Sequence, residues 1–453
     1  MGRGRAELSP PAPPHTAEVG VVDGLTEEAE GVVHGGKTAF VAGALPGETV
    51  SFRRVRRHKQ HDEALLLEVL TPSPERREPR CPHFGVCGGC ALQHLGPVQQ
   101  LQTKEGQLRA ALERIGRVMP ERWLEPLQGP QWAYRRRARL GARFVHKLGR
   151  SLVGFRERFS SHVAAIGRCE VLAAPAGELV QPLAELLTAL SIRERIPQIE
   201  VAVADNATDL VIRVLSPPSE ADLERLRAFE AAHGVRLYLQ PKGLSSVARL
   251  DGRPGEALYY ELPQFDLRYE FAPTDFVQIN AEVNAALVGR AVELLGLTPQ
   301  SRVLDLFCGL GNFTLALARR AAWVLGVEGD ATLVQRARHN AALNGIGNAE
   351  FQAADLATVA SLPDGWPGAG PKGEAGGFTE VLLDPPRAGA RDVMRTIARI
   401  APRSVLYISC HPGSLARDLG ILVHEHGFRL RAAGVLDMFP HTTHVESLAL
   451  LSL

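Results

Sequence analysis

The sequence predicts a multidomain protein in three parts. These are a small OB-like β-barrel over 15–72, a central α+β domain over 73–272, and a C-terminal α/β domain with a Rossmann-like sheet over 273–453. Three observations predict it. Short apolar runs separated by turn signals crowd residues 15–70, a cysteine-rich knuckle follows the prolines of 71–80, and from about 273 the rhythm becomes strand, glycine loop, helix. A chain of 453 residues also exceeds what one compact core sustains, so two or three domains are expected.

Composition narrows the class. Apolar residues at 45% and charged residues at 22% describe an ordinary soluble globular chain, not a disordered one. The formal net charge of +1 conceals two basic runs. Arg53, Arg54, Arg56, Arg57 and Lys59 make the first; Arg135, Arg136, Arg137, Arg139, Arg143, Lys147 and Arg150 make the second, with no acid between them. Two such runs ahead of a charge-balanced C-terminal half predict a docking surface for a polyanion. Residues 1–14 are rich in Pro and Arg without an apolar stretch, which reads as a disordered tail and not a signal peptide. No run of about 18 apolar residues offers a membrane span. A cytoplasmic, reducing setting follows, where the six cysteines serve as ligands, nucleophiles or core residues.

The barrel strands are read at 17–22, 31–34, 38–41, 49–55 and 64–70, with turns at Gly35-Gly36 and Leu45-Pro46-Gly47-Glu48. Pro72, Pro74 and Pro79 mark the boundary that follows. Leu101, Leu108, Leu112 and Ile115 recur at helical spacing and predict a helix over 97–116. Between about 132 and 272 strands dominate. There 199–204 and 210–215 flank an Asp/Asn turn as a hairpin, and 217–233 makes a short amphipathic helix. The C-terminal strands are placed at 302–305, 323–328, 349–353, 380–384 and 404–408. Helices separate most of them, which predicts a parallel sheet covered on both faces. The Gly/Pro-rich interval Pro363–Gly377 reads as a surface loop without clear chemistry.

After the strand ending at Asp305, Gly309-Leu310-Gly311-Asn312-Phe313-Thr314 opens a helix. Glycines in such a turn let backbone N–H groups approach a ligand. A dinucleotide fingerprint wants a third glycine where this chain has Thr314, so an NAD site is disfavoured. The next strand ends at Glu328, a carboxylate suited to ribose hydroxyls, and the third is followed by Asp355, suited to an adenine amino group. Together they describe a site for S-adenosylmethionine.

Cys410 lies in Tyr407-Ile408-Ser409-Cys410-His411-Pro412, between Asp384-Pro385-Pro386-Arg387 and His441-x-x-His444-x-Glu446. Uracil C5 is too poor a nucleophile to take a sulfonium methyl directly. A thiolate added at C6 makes C5 electron-rich, and a base must then remove the C5 proton before the thiol leaves. Cys410 and Glu446 fit those two roles. A thiol of ordinary pKa, about 8.5, needs neighbours to ionise it, and His411 and Arg387 are the candidates. Amino-group methylation would want an aromatic residue where Arg387 stands, and cytosine-C5 methylation a cysteine within 384–387. Neither is present. His441 and His444 read as loop-shaping residues and not as metal ligands.

Cys81, Cys87 and Cys90 form a Cys-x5-Cys-x2-Cys knuckle, and the next cysteine, Cys169, lies far downstream. Four thiolates suit zinc or an iron–sulfur cluster. Zinc sites more often repeat short pairs, and three clustered cysteines with one distant partner favour [4Fe–4S]. Four protein ligands would leave no open iron for the donor, so a radical mechanism is disfavoured.

These residues together resemble the RlmD-type 23S rRNA (uracil-C5)-methyltransferases, the iron–sulfur branch of the class I RNA m5U enzymes. The resemblance runs from a TRAM-like barrel, where Gly31–Glu48 is similar to the family's opening strands, through the knuckle and Phe276-Val277-Gln278-Ile279-Asn280. It ends at Asp437-Met438-Phe439-Pro440-His441-Thr442-Thr443-His444-Val445-Glu446-Ser447. It implies donor contacts at Gln278, Phe307, Asn312, Glu328, Asp355 and Asp384, a nucleophile at Cys410, a base at Glu446, and cluster ligands at Cys81, Cys87, Cys90 and Cys169. The implied cofactors are S-adenosyl-L-methionine and a [4Fe–4S] cluster. The implied partner is 23S rRNA, free or poor in protein, met by a monomer without a membrane. The family usually has Asn where this chain has His411. Related tRNA (uracil-C5) enzymes share the Cys and Glu but generally lack barrel and knuckle, which favours ribosomal RNA here. A non-catalytic RNA-binding or chaperone module is the alternative from another class, and the intact Cys410, Glu446 and donor loop count against it.

Overall fold

The computed structural model describes residues 16–253, 255–356 and 377–453. The tail predicted over 1–14, and all of Pro363–Gly377 except Gly377, lie outside the described residues. The chain divides into two compact units, Met1–Pro79 with Ala91–Gly96, and Arg80–Cys90 with Pro97–Leu453.

In the first unit, β1 (Glu18–Leu25), β2 (Glu30–Val33), β3 (Thr38–Ala42), β4 (Thr49–Arg57) and β5 (His61–Thr71) close into a barrel in the order β1-β2-β3-β5-β4. Each predicted strand is present. Alternation along β4 turns Val50 and Phe52 inward, where they pack with Val22, Val33, Ala39, Val41 and Ala64. The predicted turn before β4 is fixed by Glu48, whose buried carboxylate accepts from the N–H of Leu45 (2.8 Å) and Ser73 (3.1 Å) and from Arg76 (2.5 and 2.7 Å).

The second unit opens with α1 (Pro97–Ala111), which runs into a single π turn at Leu112–Gly116. The helix predicted to 116 is therefore not uniform. The wider turn rotates Ile115 out to solvent (56% exposed), while Leu101, Leu108 and Leu112 stay buried. A short strand, β6 (Arg122–Trp123), follows.

A six-stranded sheet comes next, built from β7 (Arg137–Val145), β8 (Arg150–Gly154), β9 (Gln198–Val203), β10 (Thr208–Arg213), β11 (Arg236–Gln240) and β12 (Ala248–Arg249). Between them lie α2 (Val180–Ala189) and α3 (Glu220–His233). β9 and β10 form the predicted hairpin. α3 starts at a Ser219/Asp222 capping box and stops at Gly234, whose φ is +63°. β13 (Leu258–Leu262) and β14 (Leu267–Phe271) pair separately.

The last sheet contains β15 (Arg302–Leu306), β16 (Trp323–Glu328), β17 (Ala349–Ala353), β18 (Glu380–Leu383), β19 (Ser404–Ser409), β20 (Arg429–Leu436) and β21 (Glu446–Ser452), with β6 at its edge. Its helices are α4 (Ala281–Leu295), α5 (Thr314–Ala318), α6 (Ala331–Leu343), α7 (Arg391–Ile400) and α8 (Pro412–His426). The order is β17-β16-β15-β18-β19-β21-β20-β6. β15 to β19 are parallel, as expected. The expectation of a parallel sheet needs one correction: β21 lies antiparallel between β19 and β20. Among the described residues, no helix is long and apolar enough to cross a membrane.

Candidate active site

Parallel strands bring their carboxyl ends to one edge of a sheet, and in this fold class ligands bind there. Phe307 follows β15, Glu328 ends β16, Asp355 follows β17, Asp384 follows β18 and Cys410 follows β19. β21 adds what the sequence reading lacked. It runs opposite to β19 with Ser409 paired to Ser447, so Glu446 begins β21 one step beyond that pair, beside Cys410. The topology thus places thiol and carboxyl together from positions 36 apart in sequence.

Their electrostatics follow from burial and from Asp384. Glu446 is 8% exposed, and no hydrogen bond engages its carboxyl among the described residues. Burial pushes that carboxyl up to about 8; Asp384 adds to the rise and Lys104 opposes it. Burial likewise pushes the Cys410 thiol up to about 11, with the charges of Glu446 and Asp384 adding and Arg387 opposing. Arg387 alone does not ionise the thiol. The ring of His411 accepts the Ser414 N–H at 3.1 Å as the N-cap of α8.

Asp384 is itself raised to about 7 by burial, and Gln278 reaches its Oδ2 from 3.5 Å. The loop behind it is fixed by buried Asp418, which accepts from Ala390 N–H (2.7 Å) and the Tyr407 hydroxyl (2.7 Å). Gly389 turns that loop at φ +80°, and a Cβ there would meet Asp418 Oδ2 and Arg417 Nη2 at 2.6 Å.

In the donor loop, Phe307, Gly309 and Gly311 have φ of +64°, +56° and +93°. A phenylalanine in the left-handed region costs about 1–2 kcal/mol and is characteristic of a ligand loop held under constraint. Glu328 accepts from Gly309 N–H (3.0 Å) through one oxygen and Asp330 N–H (3.0 Å) through the other. Asn312 is held from below: its side-chain oxygen accepts from the Tyr260 hydroxyl (2.8 Å) and from Asn284 (3.0 Å), and its amide donates to Asn284 (2.9 Å). Thr314, where a dinucleotide site wants glycine, donates to buried Asp305 at 2.5 Å. Asp305 is raised to about 7, first by burial, and its other oxygen has no hydrogen-bond partner among the described residues. Asp355 is exposed just past β17.

Two residues escaped the sequence reading. Lys104 is 1% exposed on α1 and donates to Asp437 Oδ1 (2.7 Å) and the Phe439 carbonyl (2.9 Å). Asp437 stood in a recognised motif but was given no role. The available signal was the stripe itself, since Lys104 stands three residues after Leu101 and four before Leu108, on their face.

Cys81, Cys87, Cys90 and Cys169 are all half-buried thiols. Cys87 is raised to about 11, first by burial, with Cys169 and Cys81 contributing to the rise. Among the described residues, no three His, Cys, Asp or Glu side chains converge as they would around one metal ion. A single zinc ion at about 2.3 Å from each sulfur would draw the sulfurs to about 3.8 Å apart. The donor set itself, four thiols, suits zinc and an iron–sulfur cluster alike.

The basic runs are only partly available. In the first, Arg54 is spent on Glu18 and Asp62, while Arg53, Arg56, Arg57 and Lys59 are exposed. In the second, Arg136 pairs with Asp205, and Glu200 takes both Arg137 and, from the surface, Arg139 (3.1 Å), while Arg143, Lys147 and Arg150 are exposed. Arg143, Phe144, His146, Arg156 and His162 line one groove of about 810 Å³.

Residues 260–453 match the family model described as tRNA (Uracil-5-)-methyltransferase. A protein of Alkalilimnicola ehrlichii named 23S rRNA (uracil(1939)-C(5))-methyltransferase RlmD is 49% identical over 99% of this chain and 98% of its own length. One of the same name from Nitrosococcus oceani is 50% identical over 95% of this chain and 94% of its own. Among solved structures, the Pyrococcus abyssi tRNA (uracil-54, C5)-methyltransferase in complex with S-adenosyl-L-homocysteine matches with a TM-score of 0.73 at 25% identity. It covers 96% of this chain and 100% of its own, too much to leave out the barrel. The barrel therefore does not separate rRNA from tRNA enzymes, contrary to expectation; the near-50% relatives carry that distinction.

Proposed function

This chain belongs to the RlmD family of 23S rRNA (uracil-C5)-methyltransferases, and from that premise we propose that it methylates C5 of one 23S rRNA uridine through a covalent Cys410 adduct. The uridine is the counterpart of position 1939, for which its relatives are named. The observation that carries the mechanism is the β19–β21 register, which sets Glu446 beside Cys410 at the edge where Asp384 and the donor loop also lie.

The steps assign each residue one task. Cys410 Sγ, once deprotonated, bonds to uracil C6, and the C5–C6 π electrons move toward C5 and O4. C5 then takes the methyl group of S-adenosylmethionine, whose carbon–sulfur bond breaks with its electron pair left on sulfur. Glu446 removes the C5 proton, the C5–C6 double bond re-forms and the Cys410 thiolate departs. A carboxyl raised to about 8 is a stronger base than an ordinary one and still titrates near neutrality. The donor's sulfonium supplies positive charge that offsets Asp384 and Glu446 and so favours the thiolate. Asp384 and Gln278 are assigned to the pyrimidine edge and donor, Glu328 and Asp355 to the ribose and adenine, and Phe307 and Asn312 to the shape of the loop.

Cys81, Cys87, Cys90 and Cys169 would hold a [4Fe–4S] cluster by four thiolates, a structural group that joins the knuckle to the central sheet. The exposed cations of the barrel and of β7–β8 are assigned to RNA phosphates, a target enzyme of this kind meets in the cytoplasm.

RNA containing 5-fluorouridine tests the reading, because fluorine cannot leave as a proton does. The full chain with donor should form a denaturation-resistant RNA adduct, and Cys410→Ala should form none. On ordinary RNA, Glu446→Gln should accumulate the methylated adduct. An adduct that persists in Cys410→Ala would overturn the mechanism.

A further inference from the structure

After β8 the chain folds back on itself over residues 155–164, and the tip of that hairpin presents Phe159 to solvent, 61% exposed. The hairpin is tied on both sides. Ala164 N–H donates to the Phe155 carbonyl and Glu157 N–H to the His162 carbonyl, both at 2.9 Å. The Glu157 carboxylate accepts the Ser160 hydroxyl at 2.7 Å, and that hydroxyl accepts the His162 N–H at 3.0 Å. The knuckle pairs with the other side, through Gly88 N–H to the Arg156 carbonyl and Arg158 N–H to the Val86 carbonyl. A single exposed ring needs no explanation by itself. This one stands on a fixed loop, with the Arg158 guanidinium carbon 5.5 Å from its centroid. The residues flanking it, Arg156, Glu157, Ser161 and His162, line the groove of about 810 Å³ whose other wall is Arg143.

One face of β7 leads from the candidate active site to this groove. Ala138, Leu140 and Ala142 turn into the core, so Arg137, Arg139, Gly141 and Arg143 share the opposite face. Just before β7, Arg136 N–H donates to the Ile279 carbonyl (2.9 Å), next to Gln278, whose amide reaches Asp384 at 3.5 Å. Arg143 lies about 20 Å beyond Arg137 along the extended strand. Glu200 offsets part of the charge of Arg137 and Arg139, whereas Arg143 and Arg156 are exposed at the groove. We propose that this groove with Phe159 is a second nucleotide subsite. An unpaired RNA base, a few positions from the target uridine, stacks on Phe159 while the adjoining phosphates lie on Arg143 and Arg156. Aromatic rings hold unpaired bases by stacking, and guanidinium groups hold the backbone by charge and hydrogen bonds. A double helix keeps its bases stacked inward, so the subsite selects single strands. The proposal rests on the reading of this chain as an rRNA enzyme and deepens it with a contact outside the methyl-transfer site.

The experiment measures binding of the full chain to a single-stranded 23S rRNA fragment centred on the counterpart of uridine 1939, and to the same sequence as a duplex. Salt is varied from about 50 to about 200 mM. Phe159→Ala should weaken single-strand binding about tenfold with the salt slope unchanged, and Phe159→Trp should retain it. Arg143→Gln should weaken it and lower the slope by about 0.7, the value of one phosphate contact on a single strand. Leu244→Ala, an exposed apolar residue beside β12 at the opposite edge of the sheet, should change neither. Duplex binding should not distinguish Phe159→Ala from the unaltered protein. At saturating RNA, 5-fluorouridine adduct formation should be equal in all four variants, the mark of lost binding and not of lost chemistry. Single-strand affinity unmoved by Phe159→Ala, or lost equally on the duplex, would overturn the subsite and leave the exposed ring to a protein partner. Failure of the underlying reading would show differently, as an unaltered protein that neither binds the fragment nor forms an adduct.

Discussion

His411 stands where the family usually carries Asn, next to the nucleophile, and its ring nitrogen does what an Asn oxygen does at a helix start. It accepts the Ser414 N–H at 3.1 Å and caps α8. What the structure shows at this position is the helix-capping contact, which an Asn oxygen can also make. His411→Asn should keep adduct formation within about twofold, since both residues can cap. His411→Ala should cost about 1 kcal/mol in urea unfolding and slow adduct formation, because the end of α8 fixes the backbone of Cys410. Equal adduct rates in the Ala and Asn variants would separate the cap from the nucleophile. At this scale Cys410, Glu446 and Asp384 could be singled out because each sits in a motif whose chemistry demands its residue type, and the fold brings them to one sheet edge. Lys104 was not. Its partner Asp437 is 333 residues away, and a lone lysine on an amphipathic helix ordinarily faces water.

Strands β15 to β19 were readable because each is an apolar run bounded by turn signals, and their parallel order follows from the intervening helices. β20 and β21 were not. Buried along most of their length, they lack the two-residue alternation that marks a half-exposed strand, and their Ala and Leu residues suit a helix at least as well. Yet β21 is the element that delivers Glu446, the proposed base. The loop between β18 and α7 (Asp384 to Ala390) carries a sharper constraint. Gly389 combines φ +80° with a space already taken by Asp418 and Arg417, so any side chain must push the loop away from α8. Gly389→Ala should destabilise by about 1–3 kcal/mol and weaken donor binding at least several-fold by displacing Asp384, measured by urea unfolding and calorimetric titration. Unchanged donor affinity in a destabilised variant would show that Asp384 does not depend on this turn.

Across the whole chain, the knuckle Arg80–Cys90 groups with the unit that contains both large sheets, while Ala91–Gly96 groups with the barrel. Its backbone is tied to the central sheet region by Gly88 N–H to the Arg156 carbonyl (2.8 Å) and Arg158 N–H to the Val86 carbonyl (2.9 Å). Its His83 ring accepts the Gly167 N–H at 3.1 Å. It has little apolar surface to bury, and Val86 is 57% exposed. On the proposed reading, a segment so poor in core draws further order from its three thiols, Cys81, Cys87 and Cys90, joined through the bound group to Cys169. Protein purified without oxygen should therefore carry iron and sulfide in equal amounts, and stripping the iron should raise amide hydrogen exchange over 80–90 and around Cys169. Exchange in β15 to β21 should stay unchanged, and so should donor affinity, because the donor loop follows β15 in the C-terminal sheet and lies outside 80–90. RNA affinity should fall, since the exposed cations Arg139 and Arg143 stand on the sheet the knuckle braces. Stoichiometric zinc without iron would replace the cluster in this account, and unaltered exchange over 80–90 after metal loss would show that backbone hydrogen bonds alone hold the knuckle to the sheet.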